Sequence, residues 1–364
     1  MKKTLRDRLT VGIFLGSLGI LSLANAIAPK KDFSELENRE LAKSPSMSLS
    51  HIVSGHFDDD FENWFSDHFI GRDFWIAAKS GARLLSGAIE NNDVYYADDG
   101  RLIRRFPYAD ERKTAQNIDL LNTFSEEHGV RMGVMLVPTS AGSDAAKLPF
   151  GAADEDQDAL YDKIAAELNA DMLDVRSSLK ENDCYFRTDH HWNEKGALQG
   201  YLAVCDYLQE TPQEFTYEQV SDSFRGTMYS RSGAFWTKGE PIMRITPPKE
   251  IHVQLTYDGS TVTDSVYSEE RLAGKDQYMY YVDGNHASVH FSTDAGTGRH
   301  AVIIKDSYAH ILMPYLITLY DEIDMIDLRY YRDPVSDLLQ ENSDFYVIYS
   351  LDNFCDDVNM VFLK

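Results

Sequence analysis

Arg187-Thr188-Asp189-His190-His191-Trp192-Asn193 places a carboxylic acid, two imidazoles and an indole in four consecutive positions. Imidazole gains and loses a proton near neutral pH, and a neighbouring carboxylate can fix its tautomer and stabilise its cation. Asp189 and His191 are therefore candidates for an orienting acid and a general base. Such a pair only moves protons; cleaving or transferring an ester usually also needs a nucleophile that the imidazole can deprotonate. Ser307, in Lys305-Asp306-Ser307-Tyr308, is the best candidate, because it follows an apolar strand at 301–305 and precedes an apolar helix at 309–320. A strand-to-helix turn presents a side chain at the C-terminal edge of a sheet and aims the first helical N–H groups at a developing oxyanion. Serine is also a favoured helix N-cap, so Ser307 taken alone reads equally as a cap. An Asp-x-His loop at another strand end of the same sheet shifts the balance to the nucleophile.

Several elements must position these groups. The spacing predicts helices at 110–128 and 154–168, a continuous apolar strand at 131–137, and a strand at 170–175 leading into the Asp-His-His-Trp loop. Asn193 then caps a helix at 193–208. Strands at 323–328 and 345–349 and a helix near 335–339 complete an alternation that signals an α/β, doubly wound, mostly parallel sheet. In such a sheet the loop carrying Asp189 faces the ligand crevice. The rhythm changes to short Tyr- and Thr-rich strands at about 215–291, a β-rich insertion. Its segments 224–230 and 283–286 are polar enough to line a cleft, and a surface loop explains either as well. Upstream, residues 94–103 predict a hairpin around Asp99-Gly100. Phe61, Trp64, Phe65, Phe69, Phe74, Trp75, Leu84 and Leu85 recur at helical spacing, a face most simply read as core.

Lys and Arg number 35 against 59 Asp and Glu, a net charge of −24, which repels phosphate backbones and speaks against nucleic-acid binding. A chain of 364 residues with 43% hydrophobic and 12% aromatic content has ample material for a core. Lys2, Lys3, Arg6 and Arg8 precede an apolar run at 9–28, the arrangement of a signal peptide or a signal anchor, so everything downstream is expected outside the cytoplasm. The run is long enough to span a bilayer, and Ala24-Asn25-Ala26 also resembles a peptidase site. Residues 1–29 are thus anchor or signal peptide, 30–56 a polar stem, and 57–364 the folded domain. Cys184, Cys205 and Cys355 are too few and scattered for a disulfide scaffold or a zinc knuckle; Cys184 and Cys205 pair or stay free. Asp-His-His also begins a motif of metal phosphoesterases, but His286, His290, His300 and His310 show no ligand spacing, so neither metal nor other cofactor is expected.

The Asp189 to Trp192 run, with 33–39, 57–75 and Lys305 to Tyr308, resembles the DHHW protein family. That family is similar to the periplasmic alginate O-acetylation proteins, whose SGNH-hydrolase-like, flavodoxin-like domain is permuted so that an Asp-x-His-Trp motif precedes a Gly-Asp-Ser turn. The resemblance implies Asp189 as orienting acid, His191 as base and Ser307 as nucleophile, with His190 at the variable position. Lys305 stands where the pattern has Gly. The Gly and Asn of the usual oxyanion hole have no clear match; Asn285 and Asn353 are the candidates, beside the Ser307 N–H. Trp192 either wedges the loop against the following helix or stacks on a sugar, and Tyr308 adjoins the nucleophile. The activity implied is O-acetyl transfer to a surface glycan, with an integral-membrane O-acyltransferase supplying the acetyl group. An acetylesterase, or an inactive surface-anchored glycan-binding protein, are the alternatives.

Overall fold

The computed structural model describes residues 2–153 and 155–364, with side chains from residue 5 onward. Two compact units emerge: one runs up to Ala88 and includes Gly233–Trp236, the other comprises Ile89–Ser232 and Thr237–Lys364.

In the first unit, α1 spans Lys2–Ile27, and its segment Leu5–Ile27 is long and apolar enough to cross a membrane by length and composition. Short strands Phe33–Ser34 and Arg39–Glu40 pair antiparallel. A helical turn at Leu49–Val53 is followed by α2 (His56–Asp67) and α3 (Arg72–Leu85). The helical spacing of the aromatic residues is correct, but the expectation that they form core is not. Phe61, Phe65, Phe74 and Trp75 are 40% to 66% exposed, and α2 buries no residue. Periodicity reports that a face is apolar; it does not report what covers it.

The second unit is built on an eight-stranded sheet. Its helices α4 (Glu111–His128), α5 (Gln157–Glu167) and α6 (Glu194–Leu208) are capped by Asp110, Asp156 and Asn193, whose side chains accept first-turn N–H groups. The strands are β1 (Met132–Val137), β2 (Asp171–Met172), β3 (Thr216–Phe224), β4 (Glu240–Thr246), β5 (Val253–Tyr257), β6 (Thr261–Thr263), β7 (Ser288–Thr293), β8 (His300–Lys305), β9 (Glu322–Ile326) and β10 (Asp344–Ser350). The sheet order is β6-β5-β7-β9-β8-β10-β1-β2. The five strands from β9 to β2 are parallel, and β7, β5 and β6 continue antiparallel. Counted from β8, the strand that ends at Ser307, the parallel strands read 2-1-3-4-5, the flavodoxin-like order. The chain enters that order at its fourth strand, so the fold is permuted.

β1 and β8 are buried along their whole length, as parallel strands covered on both faces must be. Met135, Val137, Ile303 and Ile348 pack with Ala197, Tyr201 and Val204 of α6. The alternate residues Val134, Val302 and Val347 pack with Ile118 and Leu121 of α4 and Ile164 of α5. This is the two-residue period of a strand serving two layers.

The hairpin forms as Val94–Tyr96 and Leu102–Arg104, joined by Glu90–Asn91. Other elements depart from the sequence reading. The strand at 170–175 contracts to two residues, and a helix at Arg176–Glu181 follows. The helix at 309–320 resolves into a 3-10 turn, Ser307–Leu312, and one α-turn, Met313–Leu316, since Pro314 lacks the N–H that a longer helix would need. Asp154, the expected start of a helix, lies outside the described residues. The 215–291 region is rich in β structure, and most of it joins the core: β5, β6 and β7 lengthen the central sheet, while β3 and β4 form a ribbon of their own. The joining is driven by alternation: β7 buries Val289 and Phe291, and β5 buries Leu255, into the common core.

Candidate active site

The loop bearing Asp189 closes on itself. Tyr185 and Trp192 form an isolated antiparallel bridge, Phe186 N–H donates to His191 C=O at 3.2 Å, and Asn193 N–H donates to Cys184 C=O at 2.8 Å. Trp192 is fully buried against α6. A Cβ on Gly200 would lie 2.7 Å from its indole, and one on Gly196 would lie 2.7 Å from its own Cβ, so two glycines one turn apart make the notch it fills. Its Nε1–H donates to the Tyr308 carbonyl at 2.8 Å, tying the loop to the segment that carries Ser307.

The far side of the loop is held by Glu240 of β4. Its buried carboxylate accepts the Arg187 and Thr188 N–H groups, both at 2.7 Å, and the Thr188 hydroxyl. Thr188 Oγ1 in turn accepts the Gly226 N–H at 3.1 Å, and the Thr227 N–H donates to Asp189 Oδ1 at 2.7 Å. Gly226 packs so closely on the Asp189 side chain that a Cβ there would collide with it. The 224–230 segment therefore buttresses the acid.

Asp189, His191 and Ser307 come together. Asp189 Oδ2 lies 2.5 Å from His191 Nδ1, and His191 Nε2 lies 2.7 Å from Ser307 Oγ. With Nδ1–H donating to the carboxylate, Nε2 is free to accept the hydroxyl proton. Asp306 sets Ser307 at the end of β8: Oδ1 accepts the Tyr308 N–H at 2.9 Å, while Oδ2 accepts the Ser350 N–H and hydroxyl at 2.9 Å and Asn353 Nδ2–H at 2.8 Å. One carboxylate thus pins the turn to the end of β10.

Burial opposes ionisation of Asp189, but the two adjacent imidazoles outweigh it and hold the acid well below its usual range. Burial, with help from His190, pushes His191 below the ordinary imidazole value, which favours the neutral base. Burial also opposes the charge on His190, but Asp189 draws its pKa upward; Nδ1 sits 3.5 Å from Asp189 Oδ1. Asp189, His190 and His191 are the kind of cluster that can hold a metal, their ligand atoms lying within 4.8 Å of one another. The Asp189 carboxylate is already engaged by His191 Nδ1–H and the Thr227 N–H, an arrangement suited to proton transfer.

Tyr278 was not singled out by the sequence. Its ring stacks on His191 with centroids 3.8 Å apart and planes 6° from parallel, and its hydroxyl donates to the Ser307 carbonyl at 2.9 Å. Burial, with the nearby carboxylates, keeps the phenol protonated. It lies in Gln277-Tyr278-Met279-Tyr280-Tyr281, where nothing in the pattern selects one tyrosine from three. Lys305 is fully buried, its Nζ 3.0 Å from Asp327 Oδ2 and 2.8 Å from His310 Nε2. Arg329 pairs with the same Asp327 at 2.6 Å.

Trp192, Tyr308, Asn285 and Asn353, the other residues expected around the nucleophile, fare differently. Trp192 and Tyr308 are buried, and the Tyr308 hydroxyl donates to the His190 carbonyl, so neither presents a ring face to a ligand. Both rings pack the loop, and for Trp192 this is the wedge against the following helix, one of its two expected roles. Asn353 is engaged by Asp306, and Asn285 is exposed with its Oδ1 accepting from Arg329 at 3.0 Å. The three cysteines are free and buried. Beside His190 a small hollow is bounded by Arg104, Arg105, Phe106, Thr139, Ser140 and Asp352.

A permuted flavodoxin-like sheet with Ser307 at the end of its first topological strand defines an SGNH-hydrolase-like domain. Residues 96–252 match the family described as "ALGX: SGNH hydrolase-like domain, acetyltransferase AlgX". That match includes Asp189 and His191 and ends before Ser307. A DHHW family protein from Eubacterium siraeum is similar in structure at 22% identity, with a TM-score of 0.65, over 75% of this chain and 95% of that one. Bacillus cereus PatB1, solved with a sulfonyl adduct, is similar at 21% identity and a TM-score of 0.59, over 74% of this chain and 98% of that one. These likenesses concern the fold. No curated protein matches by sequence.

Proposed function

We propose that this protein is an acyl-transfer enzyme working outside the cytoplasm, an O-acetyltransferase that modifies a cell-surface polysaccharide. The observation that carries the reading is the continuous chain Asp189–His191–Ser307, with links of 2.5 and 2.7 Å. The match to the AlgX acetyltransferase family favours acetyl as the group carried. The apolar α1 behind a basic flank favours the outer side of a membrane.

The chemistry follows from the geometry. His191 Nε2 takes the Ser307 Oγ proton as Oγ attacks the acetyl carbonyl carbon, and the developing oxyanion is met by the Ser307 N–H. Collapse breaks the bond to the leaving oxygen, which receives the proton from His191, and acetyl stays on Ser307. A sugar hydroxyl then gives its proton to His191, attacks the acetyl-serine carbonyl and restores Oγ–H. Asp189 remains ionised and stabilises each imidazolium. An acetylesterase differs only in using water as acceptor. In the transferase reading the acetyl donor is supplied by a membrane-bound O-acyltransferase.

Residues that act as one unit are non-additive. Ser307→Ala and His191→Ala are each expected to abolish acetyl transfer and aryl-acetate hydrolysis, with the double variant little worse. Asp189→Asn is expected to cost orders of magnitude, though less than loss of the nucleophile. Folded Ser307→Ala with wild-type activity would overturn the reading and favour a glycan-binding protein.

A further inference from the structure

The aromatic face of α2 and α3 is built and left uncovered within its unit. Phe57, Phe61, Phe65 and Phe69 follow one another at four-residue spacing, with successive ring centroids 6.0, 6.1 and 5.6 Å apart. Phe74 and Trp75 continue the apolar surface, their rings 5.3 Å apart and both more than half exposed. Apolar rings held in register on a surface need a partner of matching chemistry.

The end of α1 shows which partner. Asn25 is only 6% exposed, and its Oδ1 accepts the Ile70 N–H at 2.9 Å in the α2–α3 corner. Lys30 Nζ donates to the Asn25 carbonyl at 2.8 Å and the His68 carbonyl at 3.3 Å, and lies 5.3 Å from the centre of the Trp64 ring. His68 Nε2 adds a bond to the Lys31 carbonyl at 3.0 Å. These contacts clasp the corner to the C-terminal end of the apolar helix, the level at which a spanning helix leaves the hydrocarbon.

We propose that α2 and α3 form a membrane-interface element, with the aromatic ladder lying in the outer headgroup layer of the bilayer that α1 crosses. The proposal rests on α1 being a retained anchor. Tryptophan, with an apolar ring and a polar N–H, favours this layer, and an amphipathic helix lying in it buries phenylalanine while its polar face stays in water. Asp58, Asp59, Asp60 and Glu62 on α2 argue against attraction to anionic lipid, so apolar burial and the clasp hold the element in place. Cleavage after Ala26 would remove Asn25 and with it half of the clasp.

The test is quenching of Trp75 by brominated lipid in the full chain, reconstituted in zwitterionic phosphatidylcholine vesicles. Trp64→Phe and Trp236→Phe leave Trp75 as reporter over the buried Trp192. The difference between wild type and Trp75→Phe gives the same reading without those substitutions. Loss of Trp75 emission, greater with bromine near the carbonyl end of the acyl chain than near its tip, is expected. Emission unaffected by either lipid overturns the proposal, as does emission shielded from lipid by a cross-linkable second copy. Asn25→Ala is expected to weaken the shallow quenching while the chain stays in the membrane; unchanged quenching overturns the clasp. Carbonate extraction separates the two layers of inference. Release of the wild-type chain overturns the anchor reading together with the proposal, whereas retention with unquenched Trp75 overturns the proposal alone.

Discussion

Tyr278 holds the base and the nucleophile at once, and its two contacts can be removed separately. Tyr278→Phe keeps the ring against His191 and deletes the hydroxyl that donates to the Ser307 carbonyl at 2.9 Å. A buried carbonyl left without its donor costs about 1–3 kcal/mol. The freed Ser307 peptide no longer has a fixed position, and a shift of a fraction of an ångström is expected to lower kcat roughly tenfold. Tyr278→Leu also removes the stacking surface and opens a cavity, for a total of about 3–5 kcal/mol and a larger loss of rate, since the imidazole can then rotate away from Oγ. Urea unfolding midpoints and steady-state aryl-acetate hydrolysis read the two effects side by side. Tyr278→Phe within about 0.5 kcal/mol of wild type, the range of an inert surface change, together with Tyr278→Leu at the wild-type kcat, would refute the assigned role.

Gly226→Ala drives a Cβ into Asp189 and is expected to cost about 1–3 kcal/mol with a large fall in kcat; wild-type kinetics would show that the buttress is slack. Because burial and His190 depress His191, the acid limb of kcat/KM is expected to have its midpoint below the ordinary imidazole value, with activity present above it and lost as pH falls. His190→Ala removes a positive neighbour and is expected to move that limb to higher pH with little change in the plateau; a limb that stays in place would contradict the electrostatics. The depressed Asp189 contributes stability at neutral pH that is lost as pH falls through the carboxylate range. Lys305→Met leaves the buried Asp327 without its buried cation, with only the exposed Arg329 as partner, and is expected to cost about 3 kcal/mol in urea; an unchanged midpoint would mean that Arg329 suffices.

The parts of the site that could be read from sequence are those that local rules specify. Asp189 and His191 stand in a loop whose end is marked by the Asn193 cap, and Ser307 stands where a fully apolar strand stops. The remaining supports are long-range. Glu240 meets Thr188, and Thr227 meets Asp189, only because the β3–β4 region folds back on the loop. Tyr278 reaches His191 from a tyrosine cluster whose members are indistinguishable in the pattern. Trp192 and Tyr308 have the composition of a sugar platform, and only their burial separates a packing ring from a binding one. The sheet shows the same division. The fully buried β1 and β8, and β10 from Phe345 on, announce themselves as apolar runs, whereas the membership of β5, β6 and β7 depends on pairing partners far away in the chain. In α2 and α3 the spacing located the apolar face correctly and carried no information about what covers it.

If Ser307 is a nucleophile activated by His191, covalent labelling detects it. A sulfonyl fluoride, which loses fluoride as a hydroxyl oxygen attacks sulfur, is incubated with the full chain and the adduct is mapped by peptide mass. A single modified peptide carrying the adduct on Ser307 is expected, with no adduct in Ser307→Ala and labelling of His191→Ala slowed by orders of magnitude. An adduct on another residue that persists in Ser307→Ala, or equal labelling rates with and without His191, would contradict it.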